Sequence, residues 1–278
     1  MAIINLPNGV GATLGDSLVV NSPLEFNGNI WYVDSATGAD AASPKGRNRN
    51  APLATLDQAV TNSAAGDMIV LMDGHAETIT SAVAVNKSLT IVGAGQSSGK
   101  PTVKLTNNQA AGAVLTCTGS DVQVRNIWFP TNTQACSARR VTTSGGNYFR
   151  MIGCYFEFGA NDDASGLGLA GTTVEIRNTT FVVTATDNTA QPDTAVDLSG
   201  TVSAIIMEGV VFDGGEAGFS DYFAMDLSDS AVTSFYLENL SLLNGADIKV
   251  LAASEGYVNV GTSGGGARVD WCGITEPA

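Results

Sequence analysis

Six segments of the chain share one alternation of apolar and polar residues, each closing on a Gly or an Asn: Gly93, Asn126, Gly153, Asn178, Gly209 and Asn239. Successive anchors are 33, 27, 25, 31 and 30 residues apart. Four positions before them stand Leu89, Val122, Phe149, Val174, Ile205 and Phe235, and two before stand Ile91, Val124, Met151, Ile176, Met207 and Leu237. This period of two predicts strands with one buried face, and sends the intervening Thr90, Gln123, Arg150, Glu175, Ile206 and Tyr236 outward. Three residues after the last five anchors come Phe129, Phe156, Phe181, Phe212 and Leu242, which predict a second inward-facing strand beyond a corner; Gln96 holds that place after the first. Gly and Asn enter the left-handed backbone region most cheaply, so their recurrence at one offset predicts a corner there.

Upstream of most anchors lies a further short apolar run closed by a turn residue: Ala113-Val114-Leu115 before Gly119, Ala195 to Leu198 before Gly200, and Ala224 to Leu227 before Ser228. Three short strands per repeat describe a coil, and coils that cannot bury their apolar face alone must stack into a solenoid. The expected fold is therefore all-β, a right-handed parallel β-helix. A β-sandwich would show similar alternation, but it has no reason to keep one corner residue type at one offset through six units. Thirty-two glycines and only 14% charged residues agree with many tight turns and few long helices.

Residues 31–80 differ from the coils. They carry Trp31-Tyr32-Val33-Asp34, Gly38-Ala39-Asp40, Ala51 to Val60, and Ala65-Gly66-Asp67-Met68-Ile69-Val70-Leu71 with Gly74. Thr55 can cap a short helix in which Leu56, Ala59 and Val60 form an apolar stripe able to plug the open end of the stack and cover its strand edges. This stretch resembles the opening module of the pectate-lyase-like right-handed parallel β-helix proteins, in its phage virion-associated branch. With the coils that follow, the resemblance spans about residues 31–270. Three parts are expected: an arm at 1–30 for docking or oligomerisation, an opening and cap module at 31–80, and the coils with a C-terminal cap at 81–278.

Asp and Glu number 27 against 13 Lys and Arg, a formal charge of −14, which repels phosphate backbones and argues against nucleic-acid or anionic-membrane partners. No apolar run reaches membrane length, and with Lys45 the first basic residue, no positively charged signal region is seen. Synthesis in a host cytoplasm is the expectation. Cys117, Cys136, Cys154 and Cys272 form no CxxC pair and read as free buried thiols, and with His75 as the one histidine no zinc site, other metal or cofactor is expected.

The resemblance implies lyase chemistry by a basic residue beside calcium-binding carboxylates. Arg125 and Arg177 share the position before the anchor, but Ile152 interrupts them and Glu208 and Glu238 follow, a pattern closer to an external charge ladder. Glycoside hydrolysis needs two carboxylates about 5–10 Å apart. Candidate acids are Asp162, Asp163, Asp213, Glu216 and Asp221, all in polar or glycine-rich stretches where carboxylates usually face water. Trp128 and Trp271 are either exposed groups or, as the favoured reading, core or cap residues, and His75 reads as a polar rim residue. No catalytic set is assigned.

The arm has no repeat to join, so Ile3, Ile4, Leu6, Leu18, Val19 and Val20 are expected to bind a partner. These features favour a structural virion protein, a bacteriophage capsid decoration or cement protein or the body of a fibre, located in the particle. Capsid or tail proteins would be its partners, with sister subunits in a homo-oligomer that the fold's habit in phages would make a trimer. The alternatives are a tailspike-like polysaccharide depolymerase and a glycan-binding adhesin, for which a surface glycan is the partner.

Overall fold

The computed structural model describes residues 3–5, 11–13, 28–42, 45–133, 137–145, 148–159, 166–184, 194–215, 225–227, 232–244, 246–251, 255–263 and 269–272. It is an all-β solenoid of parallel strands with one short helix, Leu56–Asn62. The strands stack in three columns. The anchor sheet holds Ile30–Val33, Met68–Leu71, Thr90–Gly93, Asp121–Arg125 and Tyr148–Ile152, followed by parts of the longer strands Leu167–Arg177, Val196–Glu208, Val232–Leu243 and Glu255–Ser263. A second sheet, beyond the corner, runs from Ala76–Ile79 through Lys104–Asn107, Trp128–Phe129, Tyr155–Phe158, Thr180–Val183 and Val211–Asp213. The third runs from Val83–Val85 through Leu115–Cys117 and Val141–Thr143 to Val269–Cys272.

Register follows the repeat. Met151 pairs with Val124 on one side and Ile176 on the other, Met207 with Ile176 and Leu237, and all are buried. In the second sheet Phe129, Phe156, Phe181 and Phe212 lie in one column, their ring centroids 4.5, 4.9 and 5.2 Å apart and the rings nearly parallel. These steps match the roughly 4.8 Å between hydrogen-bonded strands, so the backbone ladder itself imposes the offset stack that aromatic rings favour.

Five anchors have the expected left-handed backbone: φ is 54° at Asn126, 64° at Gly153, 47° at Asn178, 63° at Gly209 and 52° at Asn239. Each of the first four donates its backbone N–H to the carbonyl before the next anchor, Asn126 to Ile152 and Gly153 to Arg177 at 2.9 Å, Asn178 to Glu208 at 2.9 Å and Gly209 to Glu238 at 3.0 Å. Gly93 occupies the same column for a different reason. Its φ is not positive, and a Cβ there would lie 2.1 Å from the carbonyl oxygen of Asn126. In that first coil the left-handed step falls at Gly95, and a hairpin of Gln96–Ser97 and Lys100–Pro101 is inserted before the second sheet resumes. Leu105, paired to the rung of Phe129 through the Lys104–Trp128 register, therefore fills the inward place that the repeat gave to Gln96, which is exposed.

The helix closes one end of the stack. Leu56, Ala59 and Val60 are buried as the stripe predicts. Seven residues are too few to be stable alone, and both ends are satisfied by distant groups. At the start Thr55 Oγ1 accepts from the Gln58 N–H, Asp40 accepts from the N–H groups of Ala54 and Thr55, and Glu77 Oε2 accepts from the Leu56 N–H. At the other end the Lys87 ammonium donates to the carbonyls of Val60, Thr61 and Ser63 at 2.8, 3.2 and 2.7 Å. A cation is favoured there, among the free carbonyls at the negative end of the helix dipole.

Asp67 ties this cap to the first strand. Its carboxylate accepts from the N–H groups of Asn29 (2.6 Å) and Ala64 (2.8 Å) and from the Trp31 indole (2.8 Å). Burial pushes its pKa up, but the Ala64, Asn29 and Trp31 donors and the nearby Arg47 outweigh that and hold it below the usual carboxylate value. Cys117 and Cys154 are free and buried, which pushes both thiols up to about 12.

Ile3–Asn5 and Gly11–Thr13 form a separate antiparallel two-stranded sheet, with Ile3 opposite Thr13 and Asn5 opposite Gly11. Neither strand pairs with a described strand of the solenoid.

Ile176→Asp puts an unpaired charge between Met151 and Met207 and is expected to cost on the order of 4 kcal/mol or more, read as loss of soluble, cooperatively unfolding protein. For Asp67→Asn the sign follows from the lowered folded pKa. The carboxylate's stabilisation is complete above the unfolded value near 3.8 and fades as pH falls through the lower folded one. The variant should unfold at lower urea than the parent at pH 7, and the gap should narrow in acid; equal midpoints at pH 7 would contradict the assignment.

Candidate functional site

Chemistry-bearing side chains collect on the outward faces of two sheets. On the anchor sheet Tyr148, Arg150, Glu175, Arg177 and Glu208 form a ladder across successive coils. Glu175, 8% exposed, accepts from the Tyr148 hydroxyl and from Arg177 Nε, and lies 3.5 Å from Arg150 Nε. Arg177 also pairs with Glu208, and the Arg150 guanidinium stands 4.3 Å from the Tyr148 ring centroid. Burial pushes the Glu175 carboxyl up, but the Tyr148 and Arg177 hydrogen bonds and the charges of Arg177 and Arg150 bring it below its ordinary value. Burial, then the bond to Glu175, raises the Tyr148 phenol. In the column before the anchors, which runs Arg125, Ile152, Arg177, Glu208 and Glu238, the ion pair joins Arg177 to Glu208; Arg150 and Glu175 neighbour each other in a second column. Tyr236, 41% exposed, donates to Glu238 at 2.6 Å on the same face.

On the second sheet Trp128 and Tyr155 pair on neighbouring rungs and face outward, with Glu157 two residues further along the strand. Trp128 is half-buried on this outer face rather than in the core or cap, and its indole N–H donates to Glu157 Oε2 at 2.9 Å. Lys100, carried by the inserted hairpin, pairs with Glu157 Oε1 and places its ammonium 3.4 Å from the Trp128 ring centroid and 4.4 Å from that of Tyr155. Lys104 sits 4.3 Å from the Trp128 ring. Burial, followed by the charges of Glu157 and Asp213, raises the Tyr155 phenol. The repeat could not locate this group, because Lys100 belongs to an insertion and its partners follow 28 to 57 residues later.

Of the candidate acids, Asp213 lies in Val211–Asp213, in the outward column of Glu157 with Val182 between them. Its Oδ1 accepts from the Gly215 N–H at 2.9 Å and from Asn244 at 2.8 Å, so it braces the turn after its strand. Asp162, Asp163, Glu216 and Asp221 lie outside the described residues. Ile3 and Ile4 fall in the small separate sheet; Leu6, Leu18, Val19 and Val20 also lie outside the described residues. Trp271 is in the strand Val269–Cys272, paired to Val250.

His75 is not a rim residue: it is 0% exposed. Its Nδ1 accepts from the Ser35 N–H at 3.0 Å, which leaves Nε2 to meet Glu77 at 3.2 Å, and Glu77 holds the helix start. The turn after the first strand buries it, a long-range contact that sequence spacing does not encode. Among the described residues no three His, Cys, Asp or Glu side chains converge as metal ligands, and no helix is long and apolar enough to cross a membrane. No protein-family model matches the chain, and no curated protein matches it.

Asp213→Ala should lower stability by about 1 kcal/mol in urea unfolding, because two donors at the turn lose their acceptor. An effect near zero would return Asp213 to the solvated-acid class.

Proposed function

We propose that the chain is a structural protein of a virus particle, a capsid decoration protein or fibre body of a bacteriophage, held to its partners through the segment before residue 28. The observation that carries this reading is the separate hairpin of Ile3–Asn5 and Gly11–Thr13, which adds to no described sheet of the solenoid. A two-stranded sheet is marginal in water by itself, so it gains from docking on another chain, whether a capsid protein, a tail protein or a sister subunit. The outer acids agree with a passive surface. Glu175, Glu208, Glu157 and Asp213 are engaged by Tyr, Arg, Lys, Trp, Asn or backbone donors.

One observation favours a carbohydrate-active reading as the second choice. Glu157 and Asp213 stand two rungs apart in one outward column, roughly 10 Å between backbones, next to the Trp128–Tyr155 platform. Inverting glycosidases hold their carboxyl groups at a similar separation. Release of reducing sugar from host polysaccharides, abolished by Asp213→Ala, would replace the structural reading with this one.

Deleting residues 1–24 tests the structural reading directly. The truncated chain should keep the β circular dichroism spectrum and a single unfolding transition, yet no longer associate with particles or with sister subunits. Normal assembly without the segment, or failure to fold, would overturn the docking role.

A further inference from the structure

We propose that Trp128, Tyr155 and Glu157 form a binding site for an external alkylammonium group, a site that Lys100 of the inserted hairpin fills in cis until it is displaced. The walls of the site belong to the solenoid alone. Trp128 and Tyr155 are in register on adjacent rungs of one sheet, the Trp128 indole N–H holds one oxygen of the Glu157 carboxylate, and the ammonium lies over both rings while pairing with the other oxygen. Two aromatic faces and one carboxylate are what an organic cation needs: the rings offer their negative faces and the acid supplies the counter-charge. Although Lys104 also lies 4.3 Å from the Trp128 ring, Lys100 is the cation that meets both rings and the acid. The rings and the acid are carried by the strands Trp128–Phe129 and Tyr155–Phe158, not by the hairpin.

The occupant, by contrast, is carried by a short insertion. The hairpin has only two residue pairs, Gln96 with Pro101 and Ser97 with Lys100, around a turn with φ of 53° at Ser98 and 80° at Gly99. Pro101 is buried and Asn126 Nδ2 donates to the Gly95 carbonyl at 2.9 Å, so the base of the hairpin is fixed. Its outer part is held, besides the Lys100 contacts, by exposed polar bonds from Gln96 to Asn126 Oδ1 at 2.7 Å and from Thr102 to Asp73. So short a ladder is marginal by itself. The Lys100 side chain is 26% exposed, so solvent and solutes reach the site from outside. A ligand of the same chemistry, such as a lysine side chain of a partner protein or a free alkylamine, competes with a tethered ammonium for one set of contacts. This inference stands apart from the virion reading, since it concerns the second sheet and not the segment before residue 28.

The test is a Trp fluorescence titration of the full chain with tetramethylammonium chloride, against sodium chloride at equal ionic strength. Lys100→Ala should give a saturable change, the parent should need roughly tenfold more ligand, and Lys100→Ala with Glu157→Gln should not saturate. n-Butylammonium in place of tetramethylammonium reads the preference for a primary amine of the lysine type. A Lys100→Ala response no different from that of the parent, or reproduced by sodium chloride, overturns the proposal and makes the cluster an internal clasp. Lys100→Met keeps the apolar stem where alanine unfolds the chain; if neither variant folds, the ammonium is part of the fold and the proposal fails.

Discussion

The parallel backbone ladder between neighbouring coils constrains everything else in this molecule. Each coil donates to and accepts from the next in a register that shifts only locally, between Leu169 and Gly171 and between Leu237 and Leu240 among the described pairings, so a residue's neighbours across the ladder are mostly its equivalents one repeat away. Val124, Met151, Ile176, Met207 and Leu237 meet for that reason, as do the four phenylalanines of the second sheet. The corner N–H groups of Asn126, Gly153, Asn178 and Gly209 extend the same ladder around the bend. A left-handed residue is needed there, and Asn or Gly adopts that conformation with little strain.

A stack of coils ends in unpaired strand edges, and the opening module covers one of them. The covering helix is short and depends on polar partners rather than length. Lys87 at its last carbonyls, Glu77 and Asp40 at its first amides, and Asp67 on the Trp31 indole together join helix, first strand and first coil. The buried His75 belongs to the same network through Ser35 and Glu77. These polar residues thus serve as structural fasteners, as buried groups whose hydrogen bonds are satisfied usually do.

The outward faces follow from the same register. Where equivalent positions alternate in charge, as at Arg177 and Glu208, the ladder places opposite charges one rung apart and they pair. Where they are aromatic, as at Trp128 and Tyr155, it builds a platform. The first coil departs from the pattern, because the hairpin after Gly95 lays Lys100 over that platform. Interruption of the repeat, not the repeat itself, makes this stretch of surface chemically distinct.

By itself the sequence determined the periodic part of the protein: the inward columns, the corner at five of six anchors, the solenoid, and a Thr55-capped helix burying Leu56, Ala59 and Val60. These are legible because alternation and corner conformation are local properties that repeat. Only the tertiary structure decided that Gly93 is small to admit the Asn126 carbonyl, that Leu105 takes the place expected of Gln96, that His75 is buried, and that Lys100 reaches Glu157. Each depends on groups about two dozen to nearly sixty residues apart whose meeting is set by coil stacking and by one insertion, and no local periodicity carries that information.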